Sequence, residues 1–249
     1  MLDEVIAAAR SVREDRYAGA TAVFAAGSIV RGEGTPYSDL DLVVVYPHVA
    51  CAYRESFRAG SLPVEAFVHD PETLNYFFLE VDRKAGVPSL PQMVVEGIEI
   101  PDSTEASRWL KELAASVLAM GPPPLSLQDR DALRYGVTDL VDDIREPRSR
   151  DELTAAGAKL FEALANYYFR TRSLWSATGK SIPRALERAD AGLSRRYCRS
   201  FEDLFARDDG RTVIALAEEL LAPEGGFLFD GYRLDAPAEW RKSIASGPA

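Results

Sequence analysis

Three consecutive prolines, Pro122 to Pro124 in "MGPPPLS", interrupt the chain near its middle. Each ring fixes φ and removes a backbone donor, so neither a helix nor a central strand continues through them. The chain therefore divides there. With 249 residues, each part is long enough to bury a core of its own. The expected domains are residues 1–120 and 126–235, followed by a C-terminal tail, 236–249, that has little to bury. A composition of 47% hydrophobic and 27% charged residues excludes a disordered or fibrous chain.

Ahead of the prolines the apolar pattern keeps changing period, as it does in mixed α and β structure. "LDEVIAAARSVRE" reads as a helix, and "TAVFAAG", "SDLDLVVVY" and "LPVEAFVHD" read as strands. "PETLNYFFLEVDRK" opens a helix on Pro71 and Glu72. "MVVEGIEI" reads as a last short strand and "TEASRWLKELAASVLAM" as a closing helix. Beyond the prolines the pattern is helical throughout. One helix spans roughly Gln128 to Ile144, a second runs from a Ser149/Glu152 capping box toward Gly179, a third follows Ser181, and a last ends at Pro223. The expected fold is an α+β domain with a small mixed sheet, followed by an all-α bundle.

Within "GSIVRGEGTPYSDLDLVVVY", residues 27 to 46, two acids interrupt a strongly apolar strand. Side chains alternate faces along a strand, so Leu40, Leu42 and Val44 point one way and Asp39 and Asp41 the other, about 7 Å apart. Like charges this close repel each other, and a cation relieves them. Hard carboxylate oxygens select Mg²⁺ or a similar ion. Glu65 interrupts "VEAFVHD" in the same way, and if the two strands are neighbours three carboxylates converge. Such a set can hold two metal ions about 3.5 to 4 Å apart for an in-line phosphoryl displacement. Gly27 allows backbone amides to approach a phosphate closely, and Ser28 adds a hydroxyl donor. The alternative is a solvated strand end with Gly27 serving only a turn.

Gly-Ser, a spacer of about ten residues, Asp-x-Asp on a strand and a third acid on a later strand together resemble the nucleotidyltransferase fold of the DNA polymerase β superfamily. The likeness is greatest to the small bacterial antibiotic, kanamycin-type, nucleotidyltransferases, where "PYSD" and "VE" also fit. It is motif-level from Gly27 to about Asp70, a matter of layout over residues 1 to 120, and loose beyond. The resemblance implies transfer of a nucleoside monophosphate, from ATP or another nucleoside triphosphate, to a hydroxyl with release of pyrophosphate. It assigns two Mg²⁺ ions to Asp39 and Asp41, with Glu65 completing the ion at the acceptor hydroxyl. Gly27 and Ser28 would bind the outgoing phosphates.

Arg31, shortly after Ser28, can reach a phosphate bidentately and equally fits a solvated loop charge. From Arg170 to Arg199 eight basic residues stand against two acids, Glu187 and Asp190, inside an acidic protein. In the resembled enzymes the helical domain supplies cations to the triphosphate, which points to Lys180 and Arg184, although a charged helix surface explains each equally well. The resemblance also implies a helical-domain carboxylate as general base, and Asp139, Asp142, Asp143 and Glu162 all qualify. Phe161, Tyr167, Tyr168, Phe169 and Trp175 read as bundle core. Neither His48 nor His69 is expected to be catalytic. No histidine follows residue 69, which excludes a helical nuclease built on an Arg-to-His motif.

A net charge of −10 disfavours a nucleic-acid partner and suits a cationic small molecule. No apolar run reaches the about 18 residues of a membrane span, and the charged N-terminus is unlike a signal peptide, so the chain reads as cytoplasmic. Cys51 and Cys198 offer neither a disulfide framework nor metal-ligand spacing and read as buried or incidental thiols. The leading expectation is a nucleotidyltransferase whose partners are a nucleoside triphosphate and a small hydroxylated acceptor of the aminoglycoside kind; the other is an antitoxin-like or regulatory module that binds or modifies a protein. A homodimer is known in the resembled group and stays open, as do the acceptor and the nucleotide.

Overall fold

The computed structural model describes residues 2–241, and the part of the expected tail from 242 to 249 lies outside them. The described chain forms two compact units. One takes residues up to Pro123 together with Ser173–Trp175, and the other takes the remainder from Pro124.

In the first unit helix α1 (Leu2–Arg16) precedes strand β1 (Ala22–Ala26), a single turn α2 (Gly27–Val30) and β2 (Leu40–Val45). Strands β3 (Tyr53–Ala59) and β4 (Leu62–His69) follow as a hairpin. The sheet order is β3-β4-β2-β1-β5, with β5 at Ile98–Ile100. Only β2 and β4 run parallel; β1 is antiparallel to β2 and β5, and β3 to β4. Both faces of the sheet are covered. Val5, Ala9 and Val12 of α1 pack with Val23, Leu40, Leu42, Val44 and Val68 on one face. On the other, Phe24, Val43 and Val45 meet Leu74, Phe78, Val94, Leu110 and Val117. Double coverage is why β1 and β2 read as continuous apolar runs.

The expected helix after β4 is present, with a departure inside it. Asp70 caps α3 (Pro71–Tyr76) by accepting the Thr73 N–H, and Phe77–Asp82 then winds as a π-helix before α4 (Arg83–Ala85). "MVVEGIEI" is corrected: its first half ends helix α5 (Ser89–Glu96), and only Ile98–Ile100 is strand. A short apolar run carries no period that separates helix from strand. The break falls at Gly97, where a Cβ would lie 2.6 Å from the Met93 carbonyl oxygen and 2.9 Å from Phe24 Cβ. The closing helix α6 (Glu105–Met120) is capped by Thr104.

Strand β3 is absent from the sequence reading. It is a sheet edge, mostly exposed, and its one apolar face, Tyr53, Phe57 and Ala59, is interrupted by Glu55. Its signal was the dipeptide Gly60-Ser61, a two-residue hairpin turn in which Gly60 adopts φ +61°.

The second unit is helical: α7 (Leu127–Arg145), α8 (Arg150–Thr171), α9 (Ile182–Ala189), α10 (Ala191–Arg207) and α11 (Arg211–Leu221). Val141, Leu160, Leu164, Tyr167, Phe169, Leu186, Tyr197, Leu204 and Val213 are among its buried core. Helix α8 stops at Thr171, short of the expected Gly179, and Ser173 turns the chain with φ +56°. Trp175 is outside the bundle core; its indole donates to the Leu118 carbonyl at 3.0 Å. Ser181 precedes α9 without a side-chain cap bond and instead accepts from Arg184 Nη2 at 3.2 Å. Helix α10 was not read as an element of its own. Cys51 and Cys198 are both exposed and free. Among the described residues no helix is long and apolar enough to cross a membrane.

Two buried titratable groups in the first unit oppose each other with pH. His69, edge-on to Phe77, is held down at about 4 by burial. Asp82 accepts the Leu90 N–H at 2.7 Å at the head of α5, and burial pushes it up to about 6. Between pH 4 and 6.5 the unfolded chain binds more protons at residue 69, so that site's stability rises with pH. Between pH 3.8 and 6 the folded chain binds more at residue 82, so that site's stability falls. At about 1.4 kcal/mol per pKa unit, each slope amounts to about 3 kcal/mol and the two nearly cancel. His69→Leu is expected to leave a stability that falls from pH 4 to 6, and Asp82→Asn one that rises. Urea midpoints at pH 4.5 and 6.5 check this; equal midpoints in both variants would contradict it.

Candidate active site

The three acids sit where β1 ends and β2 begins. Asp39 immediately precedes β2, Asp41 is its second residue, and Glu65 lies in β4 directly opposite Asp41 in the parallel register. All three are half-buried, and one carboxylate oxygen from each lies within 4.8 Å of the others. The parallel pairing of β2 with β4 produces this convergence, since each strand alone carries only its own acids.

On the other side of β2, Ala26 of β1 pairs with Asp41, and the chain turns sharply at the next residue. Gly27 adopts φ +85°, a conformation that side chains disfavour, and a Cβ there would fall 2.0 Å from Asp41 Oδ2. Glycine thus brings the backbone against the carboxylate and leads directly into α2. Ser28 follows, and its hydroxyl donates to Ser38 Oγ at 3.2 Å. Ser38 Oγ also accepts the Thr35 N–H at 2.9 Å, so one hydroxyl ties the loop before Asp39 to the Gly-Ser turn.

Arg31, at the end of α2, pairs with Glu33 at 3.2 Å and Glu96 at 3.5 Å. Lys180 and Arg184 belong to the second unit, Lys180 on an exposed turn, Gly179–Ser181, and Arg184 on α9. The structure thus brings Gly27, Ser28, Asp39, Asp41 and Glu65 together within the first unit. Among the general-base candidates, Asp142 pairs with Arg145 at 3.1 Å and Glu162 accepts the Gly179 N–H at 3.1 Å. Asp139 and Asp143 are exposed on α7. His48 is exposed, 3.4 Å from Asp70, and His69 is buried.

Sequence reading missed two residues that touch this group. Arg54 and Ser56, on the edge strand β3, both donate to Glu65 Oε1. The Gly60-Ser61 turn and the alternation of Tyr53, Phe57 and Ala59 with polar residues are the signals that could have announced their strand.

The donor set suits a divalent cation. It consists of carboxylate oxygens, gathered within 4.8 Å, with a glycine where a Cβ would fill the space beside Asp41.

Residues 6–86 match the family model described as nucleotidyltransferase domain. A solved structure, the nucleotidyltransferase-like protein from Exiguobacterium sibiricum 255-15, is 16% identical, with 88% of this chain and 75% of that chain covered and a TM-score of 0.43. No curated protein matches. The matched segment contains Gly27, Ser28, Asp39, Asp41 and Glu65, so the part of the chain that carries the acids is similar to a nucleotidyltransferase domain.

Proposed function

We propose that the protein transfers a nucleoside monophosphate, AMP from ATP, to a hydroxyl of a small cationic acceptor of the aminoglycoside type, releasing pyrophosphate. The acceptor oxygen forms a bond to the α-phosphorus as the bond to the bridging oxygen breaks, and the electron pair leaves with pyrophosphate. The single observation that carries this reading is the meeting of Asp39, Asp41 and Glu65 beside the Gly27 turn.

Asp39 and Asp41 would hold two Mg²⁺ ions, with Glu65 completing the site nearer the acceptor. The chemistry such ions supply when bound is charge stabilisation of the attacking and leaving oxygens and a lowered pKa of the acceptor hydroxyl. The Gly27 turn and the Ser28 hydroxyl receive the outgoing phosphates, Ser28 being oriented by Ser38. Arg31, Lys180 and Arg184 are assigned to the triphosphate as cations, and a carboxylate of the helical unit to the acceptor proton. In this reading residues 1–120 are the nucleotidyltransferase domain, 126–235 the helical bundle domain and 236–249 a tail. The net charge of −10 supports a cationic acceptor.

The test is pyrophosphate release from each of the four nucleoside triphosphates with Mg²⁺, across hydroxylated acceptors that include aminoglycosides. Release that depends on the acceptor and disappears in Asp39→Ala/Asp41→Ala is the expected result. Nucleotide binding with no turnover on any acceptor would count against a small-molecule substrate.

A further inference from the structure

The third acid of the site accepts hydrogen bonds from the edge strand β3, whose opposite face packs Phe57 and Ala59 toward α1. In the β3–β4 hairpin Ser56 stands opposite Glu65 and Arg54 opposite Phe67, so all four side chains share one face of the sheet. Arg54 Nη2 and Ser56 Oγ donate to the same carboxylate oxygen, Glu65 Oε1, the serine at 3.3 Å. The Arg54 guanidinium lies over Phe67, its Cζ 5.1 Å from the ring centroid, which restricts the rotamers of a long side chain.

Exposure argues that this pair is not there for stability. The Arg54 side chain is 62% exposed and the Glu65 side chain 16%, and an ion pair so open to water contributes little to folding. Its geometric effect is larger. With Oε1 engaged by two donors, the carboxylate plane is set, and Oε2 is the oxygen that the edge strand leaves for another partner. A guanidinium beside three gathered carboxylates also offsets part of their mutual repulsion. Partners of this kind orient metal-ligating carboxylates, and their loss typically costs about 10- to 100-fold in metal affinity.

We infer that Arg54, assisted by Ser56, is the positioning residue of this site, fixing the orientation in which Glu65 is presented to a divalent cation shared with Asp39 and Asp41. The inference rests on the proposed role of the three acids. It extends the site to an edge strand and makes that strand part of the metal-binding machinery.

The test is Mn²⁺ binding to the full chain without nucleotide, followed by the electron paramagnetic resonance signal of free Mn²⁺. Wild type is compared with Arg54→Ala, Arg54→Lys, Ser56→Ala and Asp39→Ala/Asp41→Ala, with urea midpoints confirming that each is folded. Arg54→Ala is expected to weaken binding about 10- to 100-fold. Arg54→Lys is expected to recover part of that loss, since it restores the charge without the planar fork. Ser56→Ala is expected to weaken binding less than Arg54→Ala. Binding that requires the aspartates but is equal or tighter in Arg54→Ala overturns the positioning role and leaves the proposed function standing. Binding that is indifferent to the aspartate substitutions overturns the metal reading itself, and the role of Arg54 with it.

Discussion

Asp41→Asn is expected to lower acceptor-dependent pyrophosphate release by about a thousandfold while the urea midpoint stays near that of wild type. Asparagine keeps the shape of the side chain and removes only its charge. Position 41 is the crossing point of the site: it pairs with Ala26 on one side and with Glu65 on the other, and Gly27 packs against its carboxylate. On the proposed mechanism it would hold both ions, so the substitution weakens the hold on the cations that would stabilise the attacking and leaving oxygens. Electrostatic stabilisation of this kind is worth about 4 kcal/mol, and each 1.36 kcal/mol is a factor of about ten in rate. Strand β2 depends on Leu40, Leu42 and Val44 for its packing, all fully buried on the opposite face, so the fold should survive. A variant that retains a tenth of the wild-type rate would refute the assignment.

Gly27→Ala is expected to damage stability and activity together. Its φ of +85° is strained for any residue with a Cβ, at about 1 to 3 kcal/mol. The added methyl would also lie 2.0 Å from Asp41 Oδ2 and 2.9 Å from Asp41 Cγ, so the carboxylate must swing aside. Overpacking of this kind adds about 1 to 3 kcal/mol, and a displaced ligand of about 1 Å costs on the order of a hundredfold in rate. Gly60→Ala separates the two effects. Its φ is +61°, but nothing lies within 4 Å of its Cβ position, so it carries the backbone strain alone. Urea unfolding and pyrophosphate release on both variants decide the matter. Equal activity loss at positions 27 and 60 would mean that contact with Asp41 is irrelevant.

How much of this was legible beforehand follows from what each signal depends on. Helices α1, α6 and α7 announce themselves through apolar spacing and through caps such as Thr104 and Ser126, because a helix satisfies its backbone within its own segment. Strands β1 and β2 are legible because both of their faces are buried, which leaves an unbroken apolar run. The split of "MVVEGIEI" into helix and strand was not, since the contacts of Gly97 with Met93 and Phe24 decide it.

The sequence by itself determined the inventory of the site: a glycine and serine after one strand, two acids at the head of the next, and a third acid farther on. Those are local facts, written in spacing and residue type. Tertiary structure alone decided that β2 and β4 are neighbours, that they run parallel, and that their register sets Asp41 opposite Glu65. It alone placed β3 at the edge, with Arg54 and Ser56 on Glu65. Pairing between strands depends on which partner each can bury itself against, a property of the assembled sheet that neither strand carries in its own pattern.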